Sequence, residues 1–102
     1  MVIKNVDVKK RAELLHGGSV SHRTLISREG EMTTLGLMMP GVYKFATEAA
    51  ETLEVVQGQC RVRIGEQGEW LELDSGQSLQ LPAHGHFEVE ATEVLDYIRR
   101  PE

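Results

Sequence analysis

Within the stretch "PGVYKFATEAAE", from Pro40 to Glu51, four side chains are able to do chemistry together. Tyr43, Phe45 and Thr47 are spaced two apart, which puts them on one face of an extended strand, and Glu51 follows shortly after. The rings offer faces for stacking, the hydroxyl offers a hydrogen bond, and a carboxylate accepts bonds from hydroxyl groups and offsets developing positive charge. No histidine interrupts the run.

An anion would have to be met by side chains, because the chain has no glycine-rich phosphate loop. Arginine suits this role better than lysine, since its planar fork makes two parallel hydrogen bonds to an oxyanion. Arg100 closes the segment that follows Tyr97, and Arg61 and Arg63 alternate with apolar neighbours; Arg100 and Arg63 rank ahead of Arg61 and Arg23. His84 and His86 lie just past Pro82, and an imidazole titrating near neutrality is a natural proton donor, although the same residues suit a solvated loop. His16 and His22 have no evident partner. Met32, Met38 and Met39 read as core and interface filler.

The elements that must position these groups are short strands. Glycines at Gly17-Gly18, Gly30, Gly65, Gly68 and Gly76 punctuate segments that alternate with period two. Strands are expected over 4–8, 20–27, 32–39, 42–47, 52–58, 59–65, 69–74, 77–82, 86–91 and 94–100. "TEAAETLE" is too short for a stable helix and reads as a loop or single turn. So many strands in 102 residues imply a barrel or sandwich closed on itself, because an open meander would leave long reactive edges. The whole chain, 1–102, is expected to be one domain with a single modest core.

Composition narrows the partners. A net charge of −5 and a pI near 5.4 argue against nucleic acid, whose phosphates need basic residues; "KKR" at 9–11 reads as a solvated surface. No apolar run reaches the ~20 residues that span a bilayer. Cys60 is the single cysteine, so it has no internal disulfide partner, and no zinc spacing surrounds it. A reduced, cytoplasmic setting is expected.

Gly41 with Glu51 and Gly58, and Gly76 with Pro82, resemble the two signatures of the cupin barrels, which carry metal ligands in a small jelly roll. The first-signature histidine positions fall on Phe45 and Thr47, and the second-signature position falls on Phe87. Phenyl rings coordinate no divalent ion, so no metal is expected. Nearly the whole chain is similar to the small cupin-like pyrimidine/purine nucleoside phosphorylases. The successive blocks "NVDVKKRAELLHGGSVSHRTL", "TTLGLMMPGVYKFATEAAETLEVVQGQCRVRIG", "EWLELDSGQSLQLPA" and "FEVE" carry that resemblance. The chain departs from the family pattern at "HGGS" and "PAHGHF", outside the central run.

The resemblance implies an all-β, cupin-like jelly-roll barrel of antiparallel strands and a phosphorolysis that releases free base and pentose 1-phosphate from purine and pyrimidine nucleosides. Inorganic phosphate is then a co-substrate, and no cofactor is expected. Glu51 is the first choice for the ribose and the cationic transition state, with Thr47 as a second catalytic hydroxyl. Tyr43, Phe45 and Phe87, with His86 and Tyr97, are expected to bind the nucleoside; stacking suits a broad substrate range because every nucleobase has a π-face. Arg100 and Arg63 are expected to bind phosphate. A homodimer is expected, paired through an outer sheet face, with "IKNVDV" as a strand for a neighbour's sheet. The alternative is a metal-free cupin that senses a nucleobase-like or sugar-like ligand without turnover.

Overall fold

Period-two alternation becomes eleven strands in the computed structural model, which describes residues 2–102; residue 1 of the expected domain lies outside the described residues. In chain order they are β1 (Val6–Val8), β2 (Glu13–Leu15), β3 (Val20–Ser27), β4 (Met32–Met38), β5 (Gly41–Ala46) and β6 (Glu51–Gln57). Then come β7 (Cys60–Ile64), β8 (Trp70–Leu73), β9 (Ser78–Leu81), β10 (His86–Ala91) and β11 (Leu95–Pro101), with a short 3-10 turn at His16–Gly18 between β2 and β3.

The strands form two antiparallel sheets. The larger runs β1-β3-β4-β11-β6-β9, with β2 beside β1 along β3, and the smaller runs β5-β10-β7-β8. Strands close in sequence are often far apart in order, as in the cupin-like jelly roll, and the inner faces bury one core between them. Tyr97, Phe87, Met38, Leu53 and Leu81 are among its largest fully buried side chains. Removing such side chains from water is the main favourable term in a chain this small.

β2 was not among the expected strands. Its three residues follow the solvated "KKR" run and lack a clear alternation, so only pairing with β3 (Glu13↔His22, Leu15↔Val20) makes it a strand. The segment expected to join a neighbour's sheet is the edge strand of the larger sheet and pairs on one side with its own chain, with Val6 opposite Ser27 and Val8 opposite Leu25. "TEAAETLE" divides between a loop at 47–50 and the start of β6. Cys60 is buried, and desolvation pushes its thiol up to about 11, with the Asp74 carboxylate adding to the effect.

Candidate functional site

The inner face of the larger sheet can be read row by row from the strand register. His22, Gly36, Tyr97 and Val55 form one row; Thr24, Thr34, Arg99 and Leu53 the next; Met32, Pro101, Glu51 and Leu81 lie toward the open end. The deepest of these rows is mostly tight packing. Tyr97 is 1% exposed, and its hydroxyl sits where a Cβ on Gly36 would be, 2.6 Å away, so only glycine leaves room for the ring. Burial pushes the Tyr97 phenol up to about 12, and the neighbouring Arg99 cation opposes part of that rise.

The next two rows carry charge. The Arg99 Nε donates to a Glu51 carboxylate oxygen, and both side chains are mostly buried, at 17% and 19% exposed. Across the interior, Phe45 and Phe87 are direct cross-strand partners on β5 and β10. Their rings stack at 5.2 Å, and the Arg99 guanidinium carbon lies 5.4 Å from the Phe45 centroid and 5.2 Å from that of Phe87. An open pocket of about 240 Å³ reaches the Glu51–Arg99 pair, lined by Met32, Thr34, Ala49, Ala50, Glu51 and Arg99, with Arg100 and Pro101 also contributing. Ala49 and Ala50 belong to the β5–β6 loop, and their small side chains leave the mouth open.

The expected interior residues Tyr43, Phe45, Phe87, Glu51 and Tyr97 all face inward. Tyr43 is anchored by its own turn: its hydroxyl donates to the Met39 carbonyl at 2.7 Å, and a Cβ on Gly41 would lie 2.8 Å from that hydroxyl. This explains the local requirement for Pro-Gly-x-Tyr.

Other expected site residues lie apart from this interior group. Thr47 is buried, but its hydroxyl donates to the Pro82 carbonyl at 2.6 Å and accepts from the Gly85 N–H at 3.1 Å, so its proton is committed to joining two loops. His86 follows the outward parity of Glu88 and Glu90 on β10 and is exposed. Arg63 also points outward, paired with Glu88 and lying 4.8 Å from the Trp70 ring. Arg100 lies on the outer face with Glu54, 2.6 Å away, and also lines the pocket. Parity explains the change: Leu95 and Tyr97 face inward, so Arg99 does too and Arg100 does not.

Sequence reasoning missed two neighbours of the site. Arg99 was legible by counting two residues from Tyr97. His16 was not, because its contact with the aromatic wall joins distant segments: its ring meets Tyr43 edge-on at 5.1 Å and Phe45 at 5.3 Å. His22 pairs with Glu13, its Nε2 3.3 Å from the carboxylate. Among the described residues, no group of three His, Cys, Asp or Glu side chains is arranged to hold a metal ion.

The interior therefore combines an acid and a cation at an open mouth, with the stacked rings buried behind the cation. An anion can meet the guanidinium while a neutral polyhydroxylated group meets the carboxylate. Comparison with known proteins points the same way. The chain is 39% identical over 94 residues to a pyrimidine/purine nucleoside phosphorylase of Colwellia psychrerythraea, covering 92% of this chain and 90% of that protein. It is 40% identical over 94 residues to a protein of the same name from Syntrophotalea carbinolica, with the same coverage. A crystal structure of a protein of unknown function from Acinetobacter sp. ADP1 superposes with a TM-score of 0.95 at 32% identity, covering 99% of this chain and 98% of that one. The sequence pattern of one family spans residues 10–100, including Phe45, Glu51, Phe87 and Arg99, and with it the chain belongs to the pyrimidine/purine nucleoside phosphorylase family.

Proposed function

We propose that this protein catalyses phosphorolysis of both purine and pyrimidine nucleosides, with inorganic phosphate as co-substrate and no cofactor. A phosphate oxygen forms a bond to the anomeric carbon while the bond to the base nitrogen breaks. The electron pair leaves with the base, which takes up a proton, and the products are free base and pentose 1-phosphate. The observation that carries this reading is the Glu51–Arg99 pair set against Phe45 and Phe87 inside the barrel.

The transition state of such a reaction resembles a sugar cation. Glu51 offsets that charge and accepts hydrogen bonds from ribose hydroxyls, while the rings supply a stacking surface that does not discriminate among bases. His16, whose ring lies against Tyr43 and Phe45, is the histidine this reading assigns to protonate the leaving base. The test is release of uracil, hypoxanthine and other bases from a nucleoside panel with and without phosphate. Phosphate-dependent release from both classes is expected; saturable binding without product would identify a sensor instead.

The active form in this reading is a cytoplasmic homodimer. Leu35, Leu37 and Val56 are exposed on the outer face of the larger sheet, and Ile98 lies opposite Leu35 on the same face. A second copy laid face to face would cover this apolar patch. Light scattering of the native protein and of Leu37→Glu tests it, with a dimer expected for the first and a monomer for the second.

A further inference from the structure

We propose that Arg99 is the phosphate ligand of this site and that Glu51 holds it in position. The inference rests on the phosphorylase reading above and assigns the anion to one side chain. The other strand arginines with carboxylate partners use terminal nitrogens for them. Arg61 grips Glu90 with both Nε and Nη2, at 2.8 and 3.0 Å. Arg100 gives Nη1 to Glu54 and Arg63 gives Nη2 to Glu88, all on outer faces.

Arg99 is held differently. Its carboxylate contact is through Nε alone, and among the described residues neither terminal nitrogen donates to a protein acceptor. Those nitrogens carry four N–H groups, and the side chain lines the open pocket. The guanidinium also lies over two stacked rings, which restrict its orientation. A cation restrained through Nε and through its plane has lost most of its rotamer freedom in the folded protein, so an incoming oxyanion finds the fork already formed. Parallel N–H···O bonds to two phosphate oxygens are the geometry this fork favours.

The neighbours fit the same ligand. Thr34, directly across from Arg99 on β4, lines the pocket and adds a hydroxyl within the same row. The free Glu51 oxygen accepts a proton-bearing oxygen of phosphate or a ribose hydroxyl, so the acid separates the two substrates while orienting the cation. Replacing Arg99 with lysine keeps the charge and loses the fork.

The experiment has two arms. Line broadening of inorganic phosphate in 31P NMR, without nucleoside, reads the anion site independently of turnover. Broadening is expected with the native protein and is expected to disappear in Arg99→Lys. In steady-state assays the same variant is expected to raise the KM for phosphate about tenfold or more while the KM for nucleoside changes less than about threefold. Unchanged phosphate KM in a folded Arg99→Lys, or loss of broadening in Arg63→Gln or Arg100→Gln but not in Arg99→Lys, would overturn the assignment. Should Arg99→Lys fail to fold by circular dichroism, Arg99→Gln and Arg99→Met are read in the same way. Absence of phosphate-dependent base release by the native protein would instead overturn the phosphorylase reading, and native phosphate binding would still report on Arg99.

Discussion

Phe45 and Phe87 face each other across β5 and β10, and their stacked rings form the surface on which the Arg99 guanidinium rests. One wall thus serves both ends of the proposed chemistry, as a platform for a base and as a support for a cation. Replacing Phe45 with leucine keeps an apolar side chain of somewhat smaller volume and removes the π-face. The expected result is a stability loss under about 1.5 kcal/mol by urea denaturation, with a severalfold increase in nucleoside KM. A nucleoside KM unchanged from the native value would remove the ring from base recognition.

Glu51 gives one oxygen to Arg99, and among the described residues its other oxygen has no protein partner. Glu51→Gln retains shape and removes the charge that stabilises a sugar cation. Turnover should fall about 100-fold to 1000-fold, the size of effect seen when an active-site electrostatic contact is lost. Phosphate affinity should hold, because the glutamine amide oxygen still accepts from the Arg99 Nε and keeps the guanidinium in place. Native-like turnover in this variant would exclude Glu51 from the reaction.

Thr47 joins the loop after β5 to the loop before β10. Thr47→Val leaves the Pro82 carbonyl and the Gly85 N–H without this partner, at a cost of about 1–3 kcal/mol. Thr47→Ser, which keeps the hydroxyl, should recover most of that stability and most of the turnover. If Thr47→Ser folded stably but lost turnover as fully as the valine variant, the role would be in the reaction and not in the loops.

Gly36 and Tyr97 are packed closely enough that a methyl group at Gly36 would lie 2.5 Å from the Ser21 carbonyl oxygen and 2.6 Å from the Tyr97 hydroxyl. Backbone cannot yield cheaply here, so Gly36→Ala should cost about 1–3 kcal/mol. It should also displace Tyr97 toward Arg99, which thermal melting and phosphate titration would detect together. A variant as stable as the parent would show that the sheet accommodates the methyl.

Alkaline pH gives a signed prediction. The folded-state values of Cys60, about 11, and Tyr97, about 12, exceed their ordinary values of 9.0 and 10.0. Between each pair of values the unfolded chain releases a proton that the folded chain retains, so stability is full below about pH 9 and declines as pH rises toward 12. Each group contributes a decline of order 2 kcal/mol. Tyr97→Phe should remove the part above pH 10, measured by denaturation at stepped pH; an unaltered alkaline limb would assign the loss to other groups.

Much of this protein followed from periodicity. Alternation along "VYKFAT" and "HFEVEA" determined strands whose aromatic residues share a face, and glycine spacing determined where the chain turns. The motif frame around Glu51 expected an inward-facing acid, and the side chain meets Arg99 on the inner face of β6. Arg99 was also within reach of parity, but only after the burial of Leu95 and Tyr97 had shown which side of β11 is inside. Tertiary structure alone decided the rest. β2 exists because β3 offers it a partner, Thr47 spends its hydroxyl on loops that are distant in sequence, and His16 reaches Tyr43 and Phe45 across the fold. Period-two patterning records which side of one strand is wet, whereas pairings between distant strands depend on how two sheets close over a common core.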